Sequence, residues 1–346
     1  MPNSNIRLII EKNIPYVAGL LDPYATVRYL APEEITAKAC RDCDGLVIRT
    51  RTRCNAELLA KSDVKLIATA TIGTDHIDAD YCASRSITVV NAPGCNAPAV
   101  AQYVFATILE LINRPLTRYT LGIVGVGHVG SIVERWAKAF GMRVLLCDPP
   151  RQEAEGGEGW VDLDTIAREA DIITFHTPLT RQGLHATYHL ASADFFSRLQ
   201  RRPVVINSSR GEVVDTSALL GALRGGIVRE AVVDTWENEP NISRELLDRA
   251  FLATPHIAGY SADGKANGTR MSLEAVARFF GVDCLFDVEA PAVPPTFRYY
   301  PEAPDDAAAN PSLALYDPRR DSDALKADPA AFERLRGNYP LRREHF

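Results

Sequence analysis

The sequence predicts an α/β protein: two doubly wound parallel-sheet domains followed by a small C-terminal tail. Short apolar runs alternate with helix-forming runs from Ile6 to Thr254, as in a parallel sheet covered by helices on both faces. One of those runs, Thr120-Leu121-Gly122-Ile123-Val124, passes directly into Gly125-x-Gly127-x-x-Gly130 and then an amphipathic segment, which reads as strand, tight turn and helix. A chain of 346 residues is also too long for one ordinary core, and Pro93-Gly94 interrupts the alternation where a second domain would begin.

In order, the first strands are expected at Ile6–Ile10, Val27–Leu30, Gly45–Ile48, Lys65–Thr69 and Ile87–Val90, with a helix over Ala56–Lys61 among them. A long helix follows from Ala99 to Asn113, its apolar residues Val100, Tyr103, Val104, Ile108, Leu111 and Ile112 recurring every three or four positions. Asn96 can cap it, Pro98 suits its first turn and Pro115 stops it. Beyond the glycine motif, strands are expected at Met142–Cys147, Asp171–Phe175, Pro203–Asn207, Val228–Val233 and Leu252–Thr254, with a helix over Asp162–Glu169. A helix over Ser261–Phe280 can return to the first domain. The expected division is therefore 1–96 plus about 262–284 as a discontinuous substrate domain, 97–261 as a Rossmann-like nucleotide domain, the other sheet being Rossmann-like or flavodoxin-like, and 285–346 as the tail. Residues 287–311 are rich in Pro, Ala and Asp and read as an extended arm, and 312–346 regain helix-forming content.

Composition narrows the function. A hydrophobic share of 46% with 24% charged residues is that of a globular protein, and a net charge of −6 argues against nucleic acid as a main partner. No apolar run approaches a membrane span, and Met1-Pro2-Asn3-Ser4-Asn5-Ile6-Arg7 lacks the pattern of a secretory signal. Seven scattered cysteines suit a reducing compartment, so the cytoplasm is the expected location. Cys40-Arg41-Asp42-Cys43 has metal-site spacing without a second pair, and His185 and His189 lack an acidic companion, so no metal is expected.

The chemistry centres on the glycine motif. Gly125 permits the turn, Gly127 lets the backbone approach a pyrophosphate, and Gly130 lets helix and strand pack closely. His128 and Val129 open the helix whose first N–H groups face the phosphates. The next strand ends on Asp148, whose carboxylate suits the free ribose diol of NAD and repels the 2′-phosphate of NADP. Ligands of such sheets bind at the carboxyl ends of strands, where Arg210, Glu239 and His256 follow three successive strands. A guanidinium can grip a substrate carboxylate in a fork, an imidazole can take a hydroxyl proton, and a carboxylate can orient that imidazole.

These residues lie in strings that resemble the D-isomer-specific 2-hydroxyacid dehydrogenases over most of the chain. The strings are Thr71-Ile72-Gly73-Thr74-Asp75-His76-Ile77-Asp78, Ala92-Pro93-Gly94-Cys95-Asn96-Ala97, the glycine motif, Cys147-Asp148-Pro149-Pro150-Arg151, Thr174-Phe175-His176-Thr177-Pro178-Leu179 and Thr254-Pro255-His256-Ile257-Ala258-Gly259-Tyr260. Cys-Asp-Pro-Pro-Arg and His-Ile-Ala-Gly-Tyr are similar to the branch of the family that acts on erythronate phosphate. So are the tail strings Leu315-Tyr316-Asp317-Pro318-Arg319-Arg320-Asp321 and Leu335-Arg336-Gly337-Asn338-Tyr339-Pro340-Leu341-Arg342-Arg343-Glu344.

The resemblance implies NAD-dependent oxidation of 4-phospho-D-erythronate to 2-oxo-3-hydroxy-4-phosphobutanoate, a step toward pyridoxal 5′-phosphate. It implies Arg210 and Glu239 as active-site residues and His256 as proton donor of the reverse direction. Asp148, Thr177, Ser208, Ser209, Arg210, Asp234 and Gly259 would line the cofactor, Thr50, Thr71 and Tyr260 the substrate, and the tail would make a homodimer. For the substrate phosphate, Arg49, Arg51 and Arg53 follow the third strand at alternate positions. Were that segment extended, all three would project from one face, with Arg49 the leading candidate and Arg342 and Arg343 a second. Two competing readings are another dehydrogenase of the family, of phosphoglycerate or glyoxylate type, and a dinucleotide-sensing binding protein on the same fold.

Overall fold

Two parallel sheets carry the chain in the computed structural model, which describes residues 6–112, 114–292, 316–340 and 342–344. The extended arm expected over 287–311 lies outside the described residues from 293 onward, as do Asn113, Leu315 and Leu341. The chain divides into two compact units, Met1–Asn96 with Ser261–Val293, and Ala97–Tyr260 with Pro294–Phe346.

In the first unit, β1 (Arg7–Glu11), β2 (Thr26–Leu30), β3 (Gly45–Ile48), β4 (Leu66–Thr69) and β5 (Thr88–Val90) form a sheet in the order β2-β1-β3-β4-β5. All of its strands run parallel. The interior strands β3 and β4 are buried at every position, while the edge strands β2 and β5 are partly exposed. That difference explains why β3 and β4 are almost wholly apolar and the edges mixed, while β1, also interior, keeps Arg7 and Glu11 only at its ends. Helix α1 (Ala56–Leu59) is shorter than expected, capped by Asn55, and α2 (Ala79–Ser84) is capped by Asp78. Cys40, Cys43, Cys54 and Cys82 are buried together in the core on one face of this sheet. Burial pushes the thiols of Cys40 and Cys43 up to about 11 and about 12, as for inert core thiols.

The second unit opens with α3 (Ala97–Leu111). Then come β6 (Thr120–Val124), α4 (His128–Ala139), β7 (Arg143–Cys147), α5 (Pro149–Glu155), α6 (Leu163–Glu169), β8 (Ile172–Phe175), α7 (Ala193–Ser197), β9 (Val204–Asn207), α8 (Thr216–Arg224), β10 (Glu230–Val233), α9 (Arg244–Arg249) and β11 (Leu252–Ala253). The six strands run parallel in the order β11-β10-β9-β8-β6-β7. Chain order reverses between β6 and β8, so the glycine-rich turn after β6 lies at the switch point of the sheet. Helices α3 and α4 pack on each other through Phe105 and Trp136, whose ring centroids are 5.5 Å apart.

Helix α10 (Ala262–Phe280) belongs to the first unit. Ser261 caps its start and Gly281, at φ 69°, ends it in the left-handed conformation. The helix lies so close to the sheet that a Cβ on Gly268 would sit 2.7 Å from the Ala70 carbonyl oxygen. The tail helices α11 (Pro318–Ala327) and α12 (Phe332–Gly337) pack on the second unit, with Leu325 and Phe332 in one of its cores and Tyr316 and Tyr339 in the other. Among the described residues no helix is long and apolar enough to cross a membrane.

The glycines of the motif answer to different constraints. A Cβ on Gly130 would lie 2.2 Å from the backbone oxygen of Gly125, whereas one on Gly127 would meet nothing within 4 Å. Gly130→Ala is therefore expected to destabilise the fold by about 3 kcal/mol, and Gly127→Ala to leave stability unchanged. Urea unfolding of the two variants checks both.

Candidate active site

Strands β9, β10 and β11 are parallel neighbours, so the loops carrying Arg210, Glu239 and His256 leave the same edge of the sheet. The first two of these loops touch directly. A Cβ on Gly211 would fall 2.0 Å from the carbonyl carbon of Trp236, so only glycine lets the Arg210 loop rest on the backbone that leads to Glu239.

Each loop is tied down from inside. Buried Asn207, the last residue of β9, accepts hydrogen bonds at Oδ1 from the Ser209 N–H (3.2 Å) and hydroxyl (2.9 Å), and its Nδ2 donates to the Arg210 carbonyl at 2.9 Å. Asp234, just past β10, is buried, and its carboxylate accepts from the Thr254 hydroxyl (2.7 Å) and the N–H groups of Ile257 (2.8 Å) and Ala258 (3.0 Å). Burial raises the Asp234 carboxyl above its usual range; the His256 charge and these donors oppose the rise without cancelling it. Thr254 spends its one hydrogen on Asp234, so the Tyr103 hydroxyl, 2.8 Å away, donates to Thr254. Trp236 Nε1 donates to the Thr254 carbonyl at 2.9 Å.

On this clamped loop His256 holds a backbone φ of 56°, a strained conformation for a residue with a Cβ. Its Nδ1 lies 2.8 Å from Oε2 and 3.1 Å from Oε1 of Glu239. The contact assigns the hydrogen to Nδ1 and leaves Nε2 with the lone pair, the tautomer a general base needs. Glu239 Oε1 also accepts the Trp236 N–H at 2.9 Å. Burial works to raise the Glu239 carboxyl, but the charge and hydrogen bond of His256, the Trp236 N–H and the charge of Arg336 outweigh it and hold it below the ordinary range. Arg210 is half-buried, and its Nη1 donates to the Ser209 carbonyl at 2.8 Å.

The dinucleotide side lies in the same unit. Gly125 has φ 89°, and a Cβ there would sit 2.8 Å from the Thr177 nitrogen. His128 and Val129 start α4, whose first N–H groups have no partner within the helix. Asp148 Oδ2 accepts the Val126 N–H at 2.8 Å and Oδ1 accepts the Arg151 N–H at 3.1 Å, leaving lone pairs on both oxygens for a diol. Arg151 is committed locally, to the Val126 carbonyl, to the Ser131 hydroxyl at 3.1 Å and to Glu155 at 2.8 Å. The hydroxyls of Thr177 and Ser208, beyond β8 and β9, are buried without a hydrogen-bond partner. With the open space at Gly127, these orphaned donors fit a bound polar group of dinucleotide character. Ser209 spends its hydroxyl on Asn207, and Gly259 is half-buried one residue past Ala258.

In the first unit the segment after β3 is not extended. Thr50 and Arg51 form a turn closed by the Thr52 N–H on the Arg49 carbonyl at 3.3 Å. The cause is Glu11, buried at the end of β1, whose Oε2 accepts the Arg49 N–H (3.0 Å) and the Thr52 hydroxyl (2.9 Å). The expected one-sided row of Arg49, Arg51 and Arg53 is thus corrected: Arg49 is half-buried, whereas Thr50, Arg51 and Arg53 are exposed on the turn. Thr71 sits with its hydroxyl 2.7 Å from that of Thr69 and 3.2 Å from the Gly73 carbonyl. Tyr260, in the second unit, packs edge-on to Tyr339 at 6.1 Å. Arg342 is fully buried with its Nη2 on the Ala258 carbonyl, which takes it out of the running as a solvent-facing anion site.

Sequence reasoning passed over Asn207, Glu11 and the tail residue Arg336. An Asx-turn signal in Asn207-x-Ser209 was available for the first; the other two act across long sequence separations and leave no local trace. Among the described residues no group of His, Cys, Asp or Glu could hold a metal ion.

Known proteins resemble this chain over nearly all of its length. Residues 103–258 match the model of the D-isomer specific 2-hydroxyacid dehydrogenase, NAD binding domain. An erythronate-4-phosphate dehydrogenase of Bacteroides thetaiotaomicron is 51% identical over 98% of this chain and 97% of its own length. The one of Porphyromonas gingivalis is 45% identical over 98% and 94%. A crystal structure of D-lactate dehydrogenase from Aquifex aeolicus, complexed with NAD and lactic acid, superposes with a TM-score of 0.65 at 26% identity, over 80% of this chain and 96% of that one.

Glu239→Gln removes the negative charge facing His256, so the imidazolium is less favoured. The acid limb of the oxidation rate should move to lower pH and kcat fall about 10²-fold. Because the Glu239 carboxyl is held low in the fold, its pairing stabilises above the unfolded value near ~4.3 and is lost as pH falls further. The variant should lose that acid-side dependence in a denaturation series run against pH.

Proposed function

We infer the reaction from one premise: the chain belongs to the D-isomer-specific 2-hydroxyacid dehydrogenases, in the group of the erythronate-4-phosphate dehydrogenases. It is an NAD-dependent oxidoreductase that takes 4-phospho-D-erythronate to 2-oxo-3-hydroxy-4-phosphobutanoate. The observation that carries the mechanism is the His256–Glu239 contact at 2.8 Å on a loop anchored by Asp234.

NAD, when bound, supplies the acceptor for the hydride that leaves C2. The Gly125–Gly130 turn, the first N–H groups of α4 and the Asp148 carboxylate would hold it, with the Thr177 and Ser208 hydroxyls completing the cradle. Arg210 would grip the substrate carboxylate in a two-point fork and so fix C2. His256 would take the 2-hydroxyl proton at Nε2, its charge balanced by Glu239, and return it in the reverse reaction. Thr50, Thr71 and Tyr260 would line the remainder of the substrate. The half-buried Arg49, on a turn fastened by Glu11, would meet the phosphate.

Three roles beyond the chemistry belong to this reading. The product feeds pyridoxal 5′-phosphate synthesis. The protein works in the cytoplasm, supported by the absence of a disulfide among the described residues. It forms a homodimer in which the tail takes part, supported by the family resemblance of the tail strings.

Purified protein should produce NADH from 4-phospho-D-erythronate, and His256→Ala should lower kcat by ~10²–10⁴; absence of turnover would overturn the reading. Arg49→Ala should raise KM for the phosphorylated acid far more than for unphosphorylated erythronate, equal losses on both rejecting the phosphate role. With NADP, kcat/KM should be at least about 10²-fold below that with NAD, since Asp148 would face the ribose diol and Arg151 is bound elsewhere. Sedimentation at micromolar concentration should give twice the chain mass, a monomer contradicting the assembly.

A further inference from the structure

The tail reaches the Glu239–His256 pair within the second unit. Arg336, on α12, donates from Nε to the Tyr260 hydroxyl at 3.1 Å, with its guanidinium carbon 5.8 Å from the Tyr260 ring centre. Its Nη1 lies 3.9 Å from Oε2 of Glu239, the same oxygen that stands 2.8 Å from His256 Nδ1. The Arg336 and Glu239 side chains are only 20% and 19% exposed, so water screens this charge less than it would a surface pair.

We propose that Arg336 is a positioning residue of the reaction: it fixes Tyr260 by its hydroxyl and shares the Glu239 carboxylate with His256, so the tail sets how tightly the imidazole holds its proton. The proposal rests on the reading of His256 as the base. Two cations then draw on one carboxylate. Arg336 competes with His256 for the same Glu239 oxygen, so its charge enters the balance of the pair.

The other charged groups around the pair fit this division. Asp234, beneath the loop at the end of β10, interacts with the charge of His256 but spends its oxygens on Thr254, Ile257 and Ala258. Glu333, one turn before Arg336 on α12, lies 3.9 Å from Nη1 but is 48% exposed, so it offsets the guanidinium weakly. Tyr260 contributes a hydroxyl that accepts from Arg336. Arg342, another cation of the tail near this loop, donates to the Ala258 carbonyl.

Arg336→Gln and Arg336→Met remove the charge, and Met keeps the packing of the aliphatic stem. Arg336→Lys keeps the charge but loses the planar fork. Two readouts are taken on the full chain: the pH profile of kcat/KM for 4-phospho-D-erythronate, and the NMR titration of the His256 ring, assigned by its loss in His256→Asn. Both neutral variants should move the acid limb and the ring titration upward by ~0.5–1 pH unit, about 3- to 10-fold in proton affinity, with KM raised as Tyr260 is released. Arg336→Lys should leave the titration in place and raise KM alone, as should Tyr260→Phe. An unmoved titration in folded Arg336→Gln or Arg336→Met, or an equal shift in Arg336→Lys, would overturn the proposal. The ring titration needs no substrate, so failure to turn over 4-phospho-D-erythronate would remove the proposed activity while the test of Arg336 still stands.

Discussion

A single buried carboxylate supports the candidate site in the second unit of this protein. Asp234 sits at the end of β10 with its oxygens turned away from water, and three donors from the following strand and loop converge on it. Burying a carboxylate costs several kcal/mol unless its acceptor sites are filled. Here the donors that fill them are the segment that must hold still: Thr254 and the two N–H groups after His256. The left-handed backbone of His256 is then sustained by bonds on its flanks rather than by its own preference. Tyr103 extends the network to α3, and the buried Arg342 donates to the carbonyl of Ala258, one peptide further on.

The same economy joins the other two loops. Parallel neighbours release their chains at one edge, so residues separated by dozens of positions meet without long connections. Asn207 uses both ends of its amide to fold the turn before Arg210, and Gly211 allows that turn to lie against the Trp236 backbone. The side chains proposed to do chemistry are thereby held by residues that do none, as a rate dependent on placement requires.

The legible parts of the sequence were those with local physical causes. Interior strands such as β3, β4, β6, β8 and β9 are apolar because both faces are covered, and the glycine motif is a steric requirement at neighbouring positions. The loops after β9, β10 and β11 were legible because strand ends could be located from the apolar runs. What escaped was set by distant partners. The turn at Arg49–Thr52 forms because Glu11, on another strand, supplies an acceptor that alternation in the sequence does not reveal. Short helices such as α7 and α9 lack the periodicity a longer helix would show. Arg336 meets Glu239 only because α12 folds back on the second unit.

The Asp148 carboxylate combines two tasks that are separable in principle. One is the proposed discrimination at the ribose; the other is mechanical, since its oxygens join the glycine turn at Val126 to the first turn of α5 at Arg151. Relaxing cofactor preference by replacing this acid would also unfasten the loop proposed to carry the pyrophosphate. A redesign toward the phosphorylated dinucleotide therefore has to rebuild that brace with a neutral acceptor of similar reach before adding any new cation.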